Sequence, residues 1–190
     1  GRPARGIELS GAEAEAAAEL FLLTAKPVIL AVNVGESDLS QANLCVEQVR
    51  AWAAGEGAET VSICAELEAQ LADLSPEEGA EYLAASGIES SGTAELIKSA
   101  YRMLGLITFF TGNEKEVRAR AIPAGSTALA AAGHVHTDFE RGFIAAEVIS
   151  YESLSQEGSH AHAREHGAIR LEGRDYVVQD GDVILFRANP

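Results

Sequence analysis

The chain has 190 residues, enough for one domain or two small ones, and 47% of them are hydrophobic. Its net charge of −15 argues against broad, sequence-independent binding to nucleic acid, which depends on releasing counterions from phosphates. The composition excludes a disordered chain, and no apolar stretch approaches the ~20 residues that span a bilayer. The two cysteines, Cys45 and Cys64, are too few for a disulfide framework, so we expect a reducing, cytoplasmic environment.

The first half of the sequence predicts an α/β arrangement. We expect a helix over 11–23 that Pro27 ends, then a strand over 28–32 buried on both faces, followed by a polar loop. Helical periodicity over 40–55 precedes a second short strand over 60–64. The apolar positions of this helix are Leu44, Val46, Val49 and Trp52. Strand, helix and strand at this spacing predict a βαβ unit with parallel strands.

Two more helices are expected before residue 106. Ser75, Pro76 and Glu78 form a capping signature, so a helix should run from there to about Ala85. Thr93 is expected to cap a second helix, which ends at Gly105.

After Gly105 the apolar pattern changes to period two, which is typical of strands. The expected strands are 107–110, 117–122, 143–149, 176–178 and 183–186. Ser126 is expected to cap a short alanine-rich helix that ends near Gly133. These elements predict a small mixed sheet holding one helix, with the boundary between the two halves near Leu106.

Three stretches of the sequence carry a resemblance to a known family. They are KPVILAVNVGE (26–36), GLITFFTGNEKEVRARAIPAGSTALAAAGHVHTDFERGFIAAEVI (105–149) and LEGRDYVVQDGDVILFR (171–187). They are similar to the carboxy-terminal half of the YchF/Ola-type Obg-like ATPases, and the similarity extends over essentially the whole chain. The resemblance implies that residues 1–24 close a coiled-coil insertion, that 25–104 complete a P-loop nucleotide-binding domain, and that 105–190 form a TGS domain with a ubiquitin-like β-grasp fold. A chain that opens on glycine is accordingly expected to be a fragment.

The resemblance assigns base recognition to the polar loop after the first strand. Family members bind and hydrolyse ATP, and they carry an N-x-x-E type sequence in place of the guanine-reading N-K-x-D. Here that sequence is Asn33, Val34, Gly35 and Glu36. The resemblance implies that Asn33 and Val34 line the base pocket and that Glu36 relaxes the preference for guanine. It also brings the backbone at Cys64 and Ala65 close to the base. Taken alone, the loop also fits an ordinary polar turn after a strand.

The sequence lacks the motifs that hold phosphate and magnesium. A P-loop reads G-x-x-x-x-G-K-[ST], and none of the three lysines follows a glycine. No D-x-x-G segment is present either. We therefore expect no catalytic and no metal-binding residues in this chain, which alone should not hydrolyse ATP. The full-length relative would hydrolyse ATP with Mg²⁺ and would bind the ribosome through its TGS domain. The alternative is a free-standing β-grasp module that binds the ribosome or RNA without nucleotide chemistry.

Two groups of histidines leave further alternatives open. His160, His162 and His166 have a spacing that fits zinc, but the Ser-, Gly- and His-rich segment 153–167 favours a solvated loop or short helix. His134 and His136 form the second group, and the segment from His136 to Phe139 is interpreted as structural or partner-contacting, because no motif places a nucleophile near it.

A small basic patch is the last candidate. Arg118 and Arg120 alternate with apolar residues and so share one strand face, with Lys115 and Arg141 near them in sequence. Neighbouring glutamates favour a solvated, nearly neutral face. The alternative is contact with ribosomal RNA, which would make binding depend on salt.

Overall fold

The computed structural model describes residues 3–113 and 116–189. The chain divides between Met103 and Leu104 into two compact units. We call residues 3–103 the N-unit, and residues 104–113 and 116–189 the C-unit. Lys115, one member of the expected basic patch, and its neighbour Glu114 lie outside the described residues. None of the helices in the described ranges is long and apolar enough to cross a membrane.

The N-unit is built on two parallel strands, β1 (Ile29–Asn33) and β2 (Glu59–Ile63). The register runs from Ile29 opposite Glu59 to Asn33 opposite Ile63, so the carboxyl ends of both strands lie side by side. The helices are α1 (Gly11–Ala18), α2 (Ser37–Ser40), α3 (Leu44–Gly55), α4 (Ala65–Ala72), α5 (Pro76–Ala85) and α6 (Gly92–Met103). The predicted βαβ unit is confirmed, since α2 and α3 connect the two parallel strands.

The capping signature predicted for α5 is also confirmed. The Ser75 hydroxyl accepts a hydrogen bond from the Glu78 amide at 3.3 Å, and the Glu78 carboxylate accepts one from the Ser75 amide at 2.9 Å. Pro76 occupies the first turn, where its missing N–H leaves no acceptor unsatisfied.

Several expectations for the N-unit are wrong. The first helix ends at Ala18 instead of continuing to residue 23, and Leu20 to Leu23 are exposed. No core covers these side chains, and helices depend on packing more than on propensity. Strand β1 also lacks cover on one side, so it is not buried on both faces, and Ala31 is exposed.

Two local features of the N-unit helices also differ from expectation. In α3, Leu44 and Trp52 are exposed while Val46 and Ala53 are buried, so the buried side of the helix is only partly the predicted one. Helix α6 starts one residue before Thr93, because the Ser91 hydroxyl accepts from the Ala94 amide at 3.1 Å.

The C-unit is a five-stranded mixed sheet in the order β4-β3-β7-β5-β6. Its strands are β3 (Leu106–Asn113), β4 (Glu116–Pro123), β5 (Phe143–Ser150), β6 (Arg170–Glu172) and β7 (Asp182–Ala188). Its helices are α7 (Ala128–Val135), α8 (Thr137–Arg141), α9 (Tyr151–Glu157) and α10 (His160–Glu165). The first and last strands, β3 and β7, are parallel neighbours at the centre, and the remaining pairs are antiparallel. This is the β-grasp arrangement that the resemblance implied.

The C-unit core lies between the sheet and α7. Three alanines of α7, Ala128, Ala131 and Ala132, are fully buried, and their small side chains allow the helix to approach the strands closely. They pack against apolar residues of four strands. These include Phe109, Ile122, Val148, Ile184 and Phe186.

Two expectations for the C-unit are wrong. Thr127, and not Ser126, caps α7, because its hydroxyl accepts from the Ala130 amide at 3.3 Å. The Ser126 hydroxyl donates instead to the Pro123 carbonyl oxygen. The segment 176–178 is no strand, since only an isolated bridge joins Val177 to Thr127.

Candidate functional site

Four of the five predicted base-site residues meet where β1 and β2 end. Asn33 is the last residue of β1, and its Oδ1 accepts a hydrogen bond from the Ala65 amide at 3.1 Å. The Val34 amide donates to the Ile63 carbonyl oxygen at 2.8 Å, which extends the strand pairing by one bond. These two bonds hold the loop after β1 against the loop after β2.

The start of α4 explains why Asn33 is needed there. Cys64 is buried, with extended backbone dihedrals, and Ala65 is the first residue of α4. The first N–H groups of a helix have no partner inside the helix. The side chain of Asn33, which lies 32 positions before Ala65, supplies an acceptor for one of these N–H groups. Helix α4 itself was not predicted, so this cap was missed as well.

Glu36 is held by α5. Its Oε1 accepts from the Tyr82 hydroxyl at 3.4 Å and from the Ser86 hydroxyl at 3.3 Å. The Tyr82 oxygen also lies 3.3 Å from Oε1 of Gln70, on α4. The charge of Glu36 raises the pKa of the Tyr82 hydroxyl, and partial burial adds to that effect. The negative charge of the loop is therefore directed toward the hydroxyls of α5.

Sequence reasoning missed the three side chains around Glu36. Tyr82 and Ser86 are four residues apart and so share one face of a helix, and this spacing is the signal in the sequence that pairs them. Gln70 carries no such signal, since nothing local connects it to residue 36.

The predicted arginines lie beside a groove of the C-unit of about 240 Å³. It is lined by Thr111, Gly112, Glu116, Arg118, Arg120, Val135, Phe139, Leu185 and Phe186. Arg118 pairs with Glu116 at 2.7 Å, and Arg120 donates to the His134 carbonyl oxygen at 3.0 Å. The Nε of Arg120 is buried and has no hydrogen-bond partner within the described ranges. Arg118 remains 60% exposed.

The two histidine groups are in different settings. Nδ1 of His136 accepts from the Asp138 amide at 3.2 Å and so caps α8, which supports a structural interpretation of that segment. Of the two forms expected for the segment 153–167, a loop or a short helix, the structure has the helical one, in the form of α9 and α10. His162 and His166 lie beside Glu157, a residue that the sequence did not single out.

Comparison with known proteins identifies the class of the chain. The family model named YchF-GTPase_C, described as "Protein of unknown function (DUF933)", matches residues 106–189. The "Ribosome-binding ATPase YchF" of Bacillus subtilis is 46% identical over 190 residues, which are 99% of this chain and 52% of that protein. The "Obg-like ATPase 1" of Oryza sativa subsp. japonica is 40% identical over 192 residues, which cover all of this chain and 48% of that protein.

Solved structures agree with these sequence matches. The Schizosaccharomyces pombe YchF GTPase superimposes with a TM-score of 0.80 at 33% identity, over 98% of this chain and 50% of that one. A GTP binding protein from Pyrococcus horikoshii shares the fold, with a TM-score of 0.62 at 20% identity, over 95% of this chain and 51% of that one. The chain is similar over nearly its whole length to the carboxy-terminal part of YchF-type Obg-like ATPases. It spans about half the length of the curated relatives it matches.

Proposed function

We propose that the chain is part of a ribosome-associated, cytoplasmic ATPase. In this proposal the N-unit contributes to recognition of the base of ATP, and the C-unit is a TGS domain that binds the ribosome. The observation that carries it is the 46% identity over nearly the whole chain to a protein named for ribosome binding and ATPase activity. Relatives bearing that name recur at 44–45% identity.

The state of Glu36 supports ATP over GTP. An aspartate that reads guanine must offer its carboxylate to the ring N–H and the amino group of the base. The Glu36 carboxylate instead accepts from Tyr82 and Ser86. Both hydroxyls bond to Oε1, so the carboxylate is held toward Tyr82 and Ser86 and cannot turn both of its oxygens to the guanine N–H and amino groups. Asn33 uses Oδ1 for the Ala65 amide, which leaves its amide nitrogen to donate to a ring nitrogen of adenine.

Phosphate and Mg²⁺ would be bound elsewhere in a longer protein. Base contacts at Asn33, Val34, Cys64 and Ala65 give orientation, but the sequence has no glycine-rich loop with a lysine to neutralise phosphate charge. The chain by itself therefore binds nucleotides weakly and does not hydrolyse ATP.

Adenosine and guanosine test the base site directly, because nucleosides need no phosphate cradle. In NMR titrations of the 190-residue chain, we expect adenosine at millimolar concentration to shift the Val34 and Ala65 amide resonances, and guanosine to shift them less. Asn33→Ala should abolish the response, whereas Gln41→Ala, an exposed amide in the same unit, should leave it unchanged. Equal responses to both nucleosides would contradict the preference for adenine.

Co-sedimentation with purified ribosomes tests the C-unit separately. We expect binding that weakens as salt is raised and that falls several-fold when Arg118 and Arg120 are both changed to Gln. Arg174→Gln, an exposed arginine of the same unit, is the matched control. Ribosome binding without any nucleoside response would favour the alternative of a β-grasp module without nucleotide chemistry.

A further inference from the structure

We propose that Glu157, His162 and His166 form a binding site for a divalent transition-metal ion, with Zn²⁺ as the ion that this ligand set suits best. One carboxylate oxygen and two imidazole nitrogens are a ligand set found at zinc sites that keep an open position. The site is independent of the base-recognition loop and of the arginine groove. It also differs from the zinc hypothesis based on sequence, because Glu157 takes the place of His160.

The three ligand atoms are already close together. Nδ1 of His166 lies 2.8 Å from Oε2 of Glu157, and Nδ1 of His162 lies 3.4 Å from the same oxygen. Ligand atoms from the three residues all lie within 4.8 Å of one another. In a tetrahedral site with bonds of about 2.0–2.1 Å, neighbouring ligand atoms are roughly 3.3 Å apart. Only small side-chain rotations separate the observed positions from that geometry.

Local sequence creates this arrangement. Helix α9 ends at Glu157, and Gly158 follows in the left-handed conformation with φ of +73°, so the chain turns sharply. The Ser159 hydroxyl then accepts from the His162 amide at 3.2 Å and starts α10. His162 and His166 are four residues apart, which places both rings on one helix face, with centroids 4.3 Å apart.

Helix α10 is fixed to the sheet on its other side. Ala163 is fully buried, and the Arg164 guanidinium pairs with the buried carboxylate of Glu147 on β5. These contacts fix the helix without using either histidine. The imidazoles are about half exposed, at 54% and 55%, so an ion can reach them and water can complete its coordination.

Protons compete for the same atoms. Without metal, Nδ1 of His166 is hydrogen-bonded to the Glu157 carboxylate and Nδ1 of His162 to the Glu157 backbone carbonyl oxygen, and a metal ion would take the place of the bonding protons. His160 on the same helix and Glu165 beside His166 are further titratable groups near the site, while Arg164 is turned to Glu147. Since a metal ion binds only imidazole nitrogens that carry no proton, metal affinity should fall under acidic conditions.

Calorimetric titration of ZnCl₂ into the untagged, chelator-treated 190-residue chain at pH 7.5 tests the proposal. We expect one Zn²⁺ per chain. His162→Gln, His166→Gln and Glu157→Gln should each weaken binding at least about 10-fold. His160→Gln and His134→Gln are the matched controls and should bind as the wild type does.

The visible absorption spectrum of bound Co²⁺ is a second measurement of the site, because its bands report nitrogen and oxygen coordination. Circular dichroism checks that each variant remains folded. The proposal is overturned if the wild type shows no saturable binding up to about 1 mM Zn²⁺, or if a folded His162→Gln, His166→Gln double variant binds as tightly as the wild type.

Discussion

The N-unit and the C-unit bury their apolar residues to very different extents. In the C-unit, Phe109, Ile122 and Ile184 are at most 1% exposed within one continuous cluster. In the N-unit, Phe21, Leu44 and Trp52 are 82%, 74% and 59% exposed. The C-unit has the core of an independent domain, whereas the N-unit leaves several of its largest apolar side chains exposed.

The sheets of the two units also differ in size. The C-unit sheet has five strands, with the long strands β3, β7 and β5 inside it. The N-unit sheet pairs only β1 with β2 over the described residues. Helices α3 and α6 pack against this pair, but a sheet of two strands has little stability of its own, and unpaired edges favour pairing with another chain. The loops proposed to contact the base therefore belong to the unit that we expect to be less stable. We predict that the N-unit unfolds first.

The largest effect should come from the C-unit core. Phe109→Ala removes a fully buried ring that meets Phe186 edge-on, and it should lower the free energy of unfolding by about 3–5 kcal/mol. Urea denaturation followed by far-UV circular dichroism measures it. Val117→Ala on β4, where the side chain is 71% exposed, is the control and should change stability by less than about 0.5 kcal/mol. Similar losses in the two variants would contradict the assigned core.

A smaller effect, with a pH signature, is expected at Glu147. This carboxylate is 3% exposed and bonds to the guanidinium groups of Arg164 and Arg187. Burial alone would raise its pKa, but the hydrogen bonds from Arg187 and Arg164 prevail and the pKa is lowered. Glu147→Gln should cost about 1–3 kcal/mol at neutral pH.

The sign of the pH dependence at Glu147 follows from the lowered pKa. The stability that the carboxylate contributes is fully present above its unfolded pKa of about 4.3, and it is lost as the pH falls through the lower folded pKa. Unfolding of the wild type between pH 6 and pH 3 should thus be more pH-dependent than that of Glu147→Gln. Glu165→Gln, an exposed carboxylate on α10, is the control. Equal pH slopes for wild type and Glu147→Gln would refute this assignment.

The smallest effect is expected at the α5 cap in the N-unit. Ser75→Ala removes the acceptor for the Glu78 amide and should lower N-unit stability by about 1 kcal/mol. Ser75→Thr keeps a hydroxyl and should lose less. Thermal melting followed by circular dichroism compares the two variants, and an alanine variant as stable as the wild type would show that the cap does not hold α5.

Local patterns in the sequence predicted local structure well. The Ser75 capping signature and the period-two strands after Gly105 were confirmed, because both depend on residues within a few positions of one another. The cap of α7 was misplaced by one residue, since Ser126 and Thr127 are adjacent and chemically equivalent candidates. The strand expected over 176–178 is absent. A strand needs a partner along its length, and in this segment only Val177 forms a bridge, which the local sequence does not reveal.

Long-range contacts account for what the sequence could not show. Asn33 reaches Ala65, and Glu36 reaches Tyr82, across 32 and 46 positions. No local rule predicts which side chain will face a given loop after the chain folds. Glu157 was missed as a neighbour of the histidines for a related reason. The turn at Gly158, which brings α9 and α10 together, was not expected.

Native-state hydrogen exchange on the intact 190-residue chain tests the central contrast between the two units most directly. We predict that amides of β3 and β7, next to the buried side chains of Phe109 and Ile184, exchange only on global unfolding of the C-unit. Amides of β1 and the Val34 amide should exchange at least about 10-fold faster, through opening of the N-unit alone. Equal protection of β1 and β3 would contradict the account, because it would mean that the N-unit is as stable as the C-unit.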